Sequence, residues 1–140
     1  MSELLKLSYN VDGDDFVSCG HASEEVKRTL KSIGIDPTVI RKVAIAMYEG
    51  EINMVIHANG GVAEVVIYAD KIVITLTDTG KGIADIEMAM QEGFSTATDA
   101  IRELGFGAGM GLPNMKKYSD RMNIDSVVGQ GTTVTLEFDL

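Results

Sequence analysis

Cysteine is almost missing from this chain: Cys19 is the only one in 140 residues. A single thiol excludes an internal disulfide and any cysteine-built metal cluster, and it fits a reducing compartment. Long apolar runs are missing too, so no segment is expected to span a bilayer. Met1 to Tyr9 alternates and carries Glu3 and Lys6, so no secretory leader is expected there. Basic residues are outnumbered, with 12 Lys and Arg against 21 Asp and Glu and a formal net charge of -9. Phosphate neutralisation supplies most nucleic-acid affinity, so such a chain makes a poor nucleic-acid binder. The acidity forms no block, and it serves solubility in preference to binding a basic partner. The rest is ordinary globular composition, 45% hydrophobic and 24% charged. A chain of this size buries roughly two-thirds of its unfolded surface. One cytoplasmic domain over residues 1–140 is the expectation, with no repeat, linker or low-complexity tract.

Leu5, Leu7, Tyr9 and Val11 alternate with polar residues, the period of a half-buried strand. A turn at Asp12–Asp15 leads to a short strand starting at Phe16–Ser18. A helix is predicted from about Ala22 to Ile33, with Ser23 as N-cap and Gly34 as stop. Asp36 and Pro37 open a second helix reaching about Ala58, apolar nearly all round and so the most buried. Gly50 inside it costs about 1 kcal/mol relative to Ala, which marks either close packing or a weak point. Val62–Tyr68 and Ile72–Thr77 read as a hairpin, and Ile83–Gln91 as a short helix. Pro113 opens a helix to about Tyr118, and Ile124–Val128 and Thr132–Phe138 are the final strands. The fold class is α/β: a two-layer α+β sandwich with a mixed, largely antiparallel sheet and helices on one face.

Three constellations can carry chemistry. Glu49 and Asn53 share a helix face at i and i+4, and polar groups inside an apolar helix need partners. Hard oxygens of this kind suit Mg2+, and a carboxylate can act as general base; two polar residues at a helix edge are the plainer alternative. Glu51 lies about 160° from Asn53 around the helix and is expected to face solvent. Asp78-Thr79-Gly80-Lys81-Gly82 follows a strand, where glycines admit a flat ligand and a carboxylate accepts from an amine, or where a plain turn ends the strand. Glycines at 105, 107, 109 and 111 precede a helix opened by Pro113, an arrangement whose N–H groups and dipole favour phosphate. It lacks the Gly-Lys-Ser/Thr of a Walker A loop. His57 and the eight Met residues are expected to pack, and Ser95, Thr96 and Thr98 to lie in a polar loop.

The order of these motifs, closed by Gly131-Thr132, resembles the Bergerat ATP-binding fold of gyrase, heat-shock chaperone ATPases, sensor histidine kinases and MutL, over about residues 37 to 140. Asn53-Met54-Val55-Ile56-His57, the run from Gly82 through Phe94-Ser95-Thr96, and Gly109-Met110-Gly111-Leu112-Pro113 are most similar to the small bacterial anti-sigma-factor and stressosome switch serine kinases. The chain departs from that pattern at Gly50, at Glu51 and in Ala108-Gly109.

The resemblance implies ATP and Mg2+ as cofactors and a role for each residue. Glu49 would be the general base, Asn53 the Mg2+ ligand and Asp78 the acceptor for the adenine amine. Gly80 would belong to the nucleotide site, Gly82 would give the ring room, and Thr132 would support Asp78 directly or through water. Residues from about 84 to 108 would form the ATP lid. Gly107, Gly109, Met110, Gly111 and Leu112 would present N–H groups to the phosphates, and Arg102 would neutralise charge at the transferred group. The implied activity is ATP-dependent serine/threonine protein phosphorylation in a partner-switching pathway. The implied partners are a STAS-type antagonist or scaffold protein and a sigma factor. A non-catalytic module whose nucleotide state gates partner binding is the alternative. A sigma-factor clamp implies a homodimer, and a switch kinase is open to being monomeric.

Overall fold

The computed structural model describes residues 3–12, 20–58, 60–80, 82–83, 90 and 111–140. The period-two segments form five strands: β1 (Leu5–Asp12), β2 (Gly60–Ile67), β3 (Lys71–Asp78), β4 (Arg121–Val127) and β5 (Gly131–Asp139). They make one sheet in the order β1-β2-β3-β5-β4, and every pairing is antiparallel. The sheet, expected to be mixed and largely antiparallel, is antiparallel at every pairing among the described residues. Among the described residues three helices accompany it: α1 (His21–Ser32), α2 (Pro37–Ala58) and α3 (Gly111–Tyr118). None of the described helices is long and apolar enough to cross a membrane. The strand expected at Phe16–Ser18 and the body of the helix expected at Ile83–Gln91 lie outside the described residues.

Register explains why the helices gather on one face. Residues directly opposite across a sheet share a face. Leu5, Ile67, Ile72 and Phe138 form one such row, and Leu7, Val65, Ile74, Leu136 and Met122 the next. Tyr9, Ala63, Leu76, Val134 and Ile124 form a third. The members of these rows on the three central strands are buried. Each such side chain contributes about 1.5–3 kcal/mol on burial, and a one-residue slip would turn a whole strand's set outward. Thr75, Thr77, Thr133 and Thr135 stand on the opposite face.

Helix α2 crosses this apolar face, touching β1, β2, β3 and β5. Asp36 caps it by accepting from the Thr38 N–H at 2.8 Å, as the Asp-Pro pair predicts. α1 packs on α2 and β1, while α3 packs on α2 and β4. Gly50 is a point of close packing: a methyl there would collide with Leu76 Cδ1 of β3 and lie 3.5 Å from Met115 Sδ of α3. The missing side chain lets α2 settle against the sheet and α3 together.

Two expectations fail at the start of α1. Ser23 is not its N-cap. That position is Gly20, in the left-handed region at φ 96°, and Ser23 lies in the first turn, donating its hydroxyl proton to the Gly20 carbonyl at 2.9 Å. Nor does Glu51 face solvent; it is 2% exposed. Its carboxylate accepts from the backbone N–H groups of Gly20 at 3.1 Å, Ala22 at 3.3 Å and Ser23 at 2.6 Å. The face of α2 away from Asn53 looks onto α1, so a distant carboxylate replaces the local cap. The positive end of the α1 dipole stabilises that carboxylate, and the carboxylate satisfies donors that a helix start leaves orphaned.

Glu51→Ala is therefore expected to destabilise the protein by about 3 kcal/mol, since it strands buried donors. Equilibrium urea unfolding followed by circular dichroism measures this. A loss below about 0.5 kcal/mol, the range of ordinary surface changes, would show that the cap contributes nothing.

Candidate functional site

A fourth row completes the inner face of the sheet, and it is polar. Where the apolar sequence Ile74, Leu76 would continue, β3 has Asp78; opposite it β5 has Thr132, and opposite that β4 has Ser126. The residues that fix the core's register therefore also fix this row. Asp78 Oδ1 accepts from the Gly80 N–H at 2.9 Å and the Thr132 N–H at 3.2 Å. Ser126 and Thr132 hydroxyls lie 2.8 Å apart, and Ser126 Oγ accepts from the Ile83 N–H at 2.7 Å. Gly131 makes this closeness possible. Its φ is 127°, and a methyl there would collide with the Asp78 carbonyl oxygen and lie 2.8 Å from Thr79 Cα. A side chain at 131 would both strain the backbone and push β5 off β3.

The second half of the site lies between α2 and α3. Glu49 and Asn53 project from successive turns of α2 toward the first residue of α3. A Cβ built on Gly111 would lie 3.6 Å from Asn53 Oδ1 and 3.8 Å from Glu49 Oε2. A side chain at the first residue of α3 would thus be in van der Waals contact with a carboxylate and a carboxamide oxygen. On α3, Asn114 Nδ2 donates to Glu49 Oε1 at 3.4 Å. Leu112 is buried in the core, so its side chain anchors α3 and its backbone remains the part suited to a ligand.

This half presents hard oxygen donors on one side and a helix N-terminus on the other. The N–H groups and dipole of α3 favour anions, and the two oxygens favour a hard cation. A divalent cation bound to phosphate matches that pair of surfaces. Among the described residues no group of three or more His, Cys, Asp or Glu could hold a metal by itself. Such an ion would take its remaining ligands from phosphate and water, which is how Mg2+ is commonly held.

Of the residues predicted from sequence, Glu49, Asn53 and Gly111 meet between α2 and α3, with Leu112 beside them. Asp78, Gly80 and Thr132 meet at the end of the sheet, and Gly82 packs beside them on the Val127 carbonyl. Arg102, Gly107, Gly109, Met110, Lys81 and most of the expected 84–108 lid lie outside the described residues. Sequence reasoning missed Ser126 and Asn114. Ser126 was legible in principle, since Met122, Ile124 and Ser126 repeat the period that leads β3 to Asp78. Asn114 sits three residues after Gly111 on α3 and carries no such pattern.

This arrangement, oxygen donors facing a helix N-terminus beside an aspartate-ended strand, falls in a known class. Residues 32–140 match the family model for histidine kinase-, DNA gyrase B- and HSP90-like ATPases, and the chain belongs to that family. The anti-sigma F factor of Caldanaerobacter subterraneus is 35% identical over 109 residues, covering 73% of each chain. The serine/threonine-protein kinase RsbT of Bacillus subtilis is 30% identical over 112 residues, covering 77% of this chain and 78% of RsbT. Among solved structures, the RsbU and RsbW domains of a Mycobacterium tuberculosis protein match with TM-score 0.64 and 18% identity, over 96% of this chain and 32% of that one. The mycobacterial sensor histidine kinase MprB matches with TM-score 0.55 and 16% identity, over 96% and 97%. At these identities the structural matches speak for the fold.

Gly131→Ala is expected to cost about 3 kcal/mol, from backbone strain and the collision with Asp78 together. Thermal unfolding would measure the loss. A variant as stable as the parent would mean that the approach of β5 to Asp78 is not constrained.

Proposed function

We propose that this chain is an ATP-dependent serine/threonine protein kinase of a partner-switching pathway. Its substrate would be a Ser or Thr hydroxyl of a STAS-type antagonist protein, and its nucleotide state would gate binding to a sigma factor or another protein. The observation that carries this reading is the meeting of Glu49 and Asn53 with the N-terminus of α3 at Gly111. Membership of an ATPase family and similarity to an anti-sigma factor and a serine/threonine kinase support it. The hydrogen-bonded sheet running from β1 to β5 supports one domain over residues 1–140. ATP as substrate places the protein in the cytoplasm in this reading.

Each part of the site then has a task. Asp78 accepts from the exocyclic amine of adenine through Oδ2, since Oδ1 is held by two backbone N–H groups. Gly80 would leave space for the ring, while the side of Gly82 that a Cβ would occupy is filled by the Val127 carbonyl. The backbone N–H groups of Gly111 and Leu112 donate to phosphate oxygens at the start of α3. Asn53 would hold Mg2+, which when bound supplies charge neutralisation at the phosphates. Glu49 takes the proton of the substrate hydroxyl as that oxygen attacks the γ-phosphorus; the bond to the bridging oxygen breaks, and ADP leaves. Asn114 holds Oε1 of Glu49, leaving Oε2 directed toward Gly111 and the incoming hydroxyl.

Calorimetric titration with Mg-ATP tests the site directly. Binding that needs Mg2+ is expected, and Asp78→Asn should weaken it by at least about 100-fold, the loss of a hydrogen bond to a charged group. No binding at millimolar ATP would leave the chain an interaction module.

Glu49→Gln separates the kinase from a module that only binds. The variant should retain ATP affinity within a few-fold and lose phosphoryl transfer to the partner by about 100-fold or more, as removal of a general base does. Transfer at the parent rate would remove Glu49 as the base.

A further inference from the structure

The hydroxyl of Ser126 is placed where three elements meet. It accepts from the Ile83 N–H, in the segment following Asp78-Thr79-Gly80, at 2.7 Å. It lies 2.8 Å from Thr132 Oγ1 on β5 and 3.3 Å from the Gly131 carbonyl oxygen. A serine hydroxyl has one proton and two lone pairs. One lone pair is taken by Ile83, and the proton can go to Thr132 or to Gly131. The shorter contact is the one to Thr132, in which either hydroxyl can be the donor, whereas the Gly131 carbonyl can only accept and lies at the longer 3.3 Å.

We propose that Ser126 is a positioning residue that sets the base preference of the nucleotide site by donating its proton to Thr132 Oγ1. The inference rests on the nucleotide reading given above. With Thr132 accepting from Ser126, the Thr132 hydroxyl proton is directed elsewhere, beside Asp78 in the same row. The pair then offers an acceptor, Asp78 Oδ2, next to a donor, the Thr132 O–H acting directly or through a water. A 6-aminopurine presents the complementary order, an amine donor next to a ring-nitrogen acceptor. A 6-oxopurine presents the reverse, a carbonyl acceptor next to a ring N–H donor, and mismatches both groups. Mismatched buried polar groups are where selectivity is largest. Without Ser126 the Thr132 hydroxyl rotates freely and can accept from the ring N–H of a 6-oxopurine. Selectivity then falls while the fold persists.

Ser126 also ties down the turn that leads out of the site. Gly82 lies against the Val127 carbonyl, and Ile83 is held by the Ser126 hydroxyl, so the segment after Asp78 is fixed on the β4–β5 pair at two consecutive residues. Position and polarity therefore depend on one side chain.

The test is calorimetric titration of the full chain with Mg-ATP and Mg-ITP, the inosine nucleotide, for the parent, Ser126→Ala, Ser126→Thr and Asp78→Asn. The parent is expected to prefer ATP strongly. In Ser126→Ala the ATP affinity should fall about ten-fold while ITP is unchanged or tighter, so the ratio drops by about ten-fold or more, as loss of one oriented hydrogen bond allows. Ser126→Thr keeps the hydroxyl and should restore the ratio to within about two-fold, a few tenths of a kcal/mol. Equal loss for both nucleotides would assign Ser126 a merely structural role and overturn the proposal, as would an unchanged ratio. Should Ser126→Ala lose cooperative unfolding, Ser126→Cys, whose thiol is a weak donor, is read in the same way. If Asp78→Asn loses ATP and Ser126→Ala keeps the parent ratio, this inference alone fails. If the parent binds neither nucleotide, or Asp78→Asn binds ATP like the parent, the nucleotide reading fails and takes the inference with it.

Discussion

Everything about the site depends on how one helix is held. Glu49, Gly50 and Glu51 are consecutive on α2, so they point in directions about 100° apart. Each direction meets a different neighbour. Glu51 reaches the orphaned N–H groups that begin α1. Gly50 lies against Leu76 of β3 and Met115 of α3, with no room for a side chain. Glu49 is left facing Asn114 and the start of α3. Rotating α2 to relieve one contact would break another, because a buried carboxylate cannot leave its donors without a cost of several kcal/mol. The helix is clamped on one side by charge and hydrogen bonds and on another by close packing. The remaining direction is the one free for chemistry. The helix-breaking tendency of Gly50 costs about 1 kcal/mol, and the packing it permits on both layers offsets this.

The sheet supplies the second constraint. Three apolar rows make its register hard to slip, and the polar row of Asp78, Thr132 and Ser126 inherits that precision. A site built on a loop alone would lack it. The glycine at 131 then brings β5 close enough for the Thr132 N–H to reach Asp78. The aspartate is therefore oriented by backbone donors before any ligand arrives, which lowers the entropy that binding must overcome.

What could be read in the sequence follows from what determines each feature. The strands and α2 were legible because period and capping are local: the alternation in β5 and the Asp36-Pro37 start were each sufficient. The direction of Glu51 was not legible. A helical wheel gives angles between side chains and says nothing of what covers each face, and α1 covers the one where solvent was expected. The Ser23 cap failed for a related reason. Local rules favour a side chain next to the helix start, whereas here the cap comes from 28 residues away in sequence. Asp78 stood out because glycines follow it, and Ser126 did not because its significance lies in a cross-strand partner. Long-range polar contacts are thus the part that sequence hides, since neither partner carries a mark of the other.

An acidic chain that takes up a polyanion, as the proposed reading requires, looks contradictory, and distances resolve it. At a separation of 4 Å two unit charges interact by about 4 kcal/mol with the effective dielectric found near protein surfaces. Beyond a Debye length of about 8 Å at physiological ionic strength, exposed charges are largely screened. The net charge of -9 is spread along the sequence with no acidic block, and screening weakens whatever part of it lies beyond that length. The carboxylate that does matter is Glu49, whose Oε2 would lie 3.8 Å from a Cβ at Gly111. An anion at the start of α3 would meet that repulsion at full strength unless a cation lay between them. Asn53, one turn along and equally close to Gly111, supplies the neutral oxygen such an ion requires without adding a second negative charge. A second carboxylate there would strengthen the cation and repel the phosphate. A carboxamide does the first in part and avoids the second, so in the proposed reading a lone acid paired with an amide suits a base that takes a proton from a hydroxyl beside a bound anion.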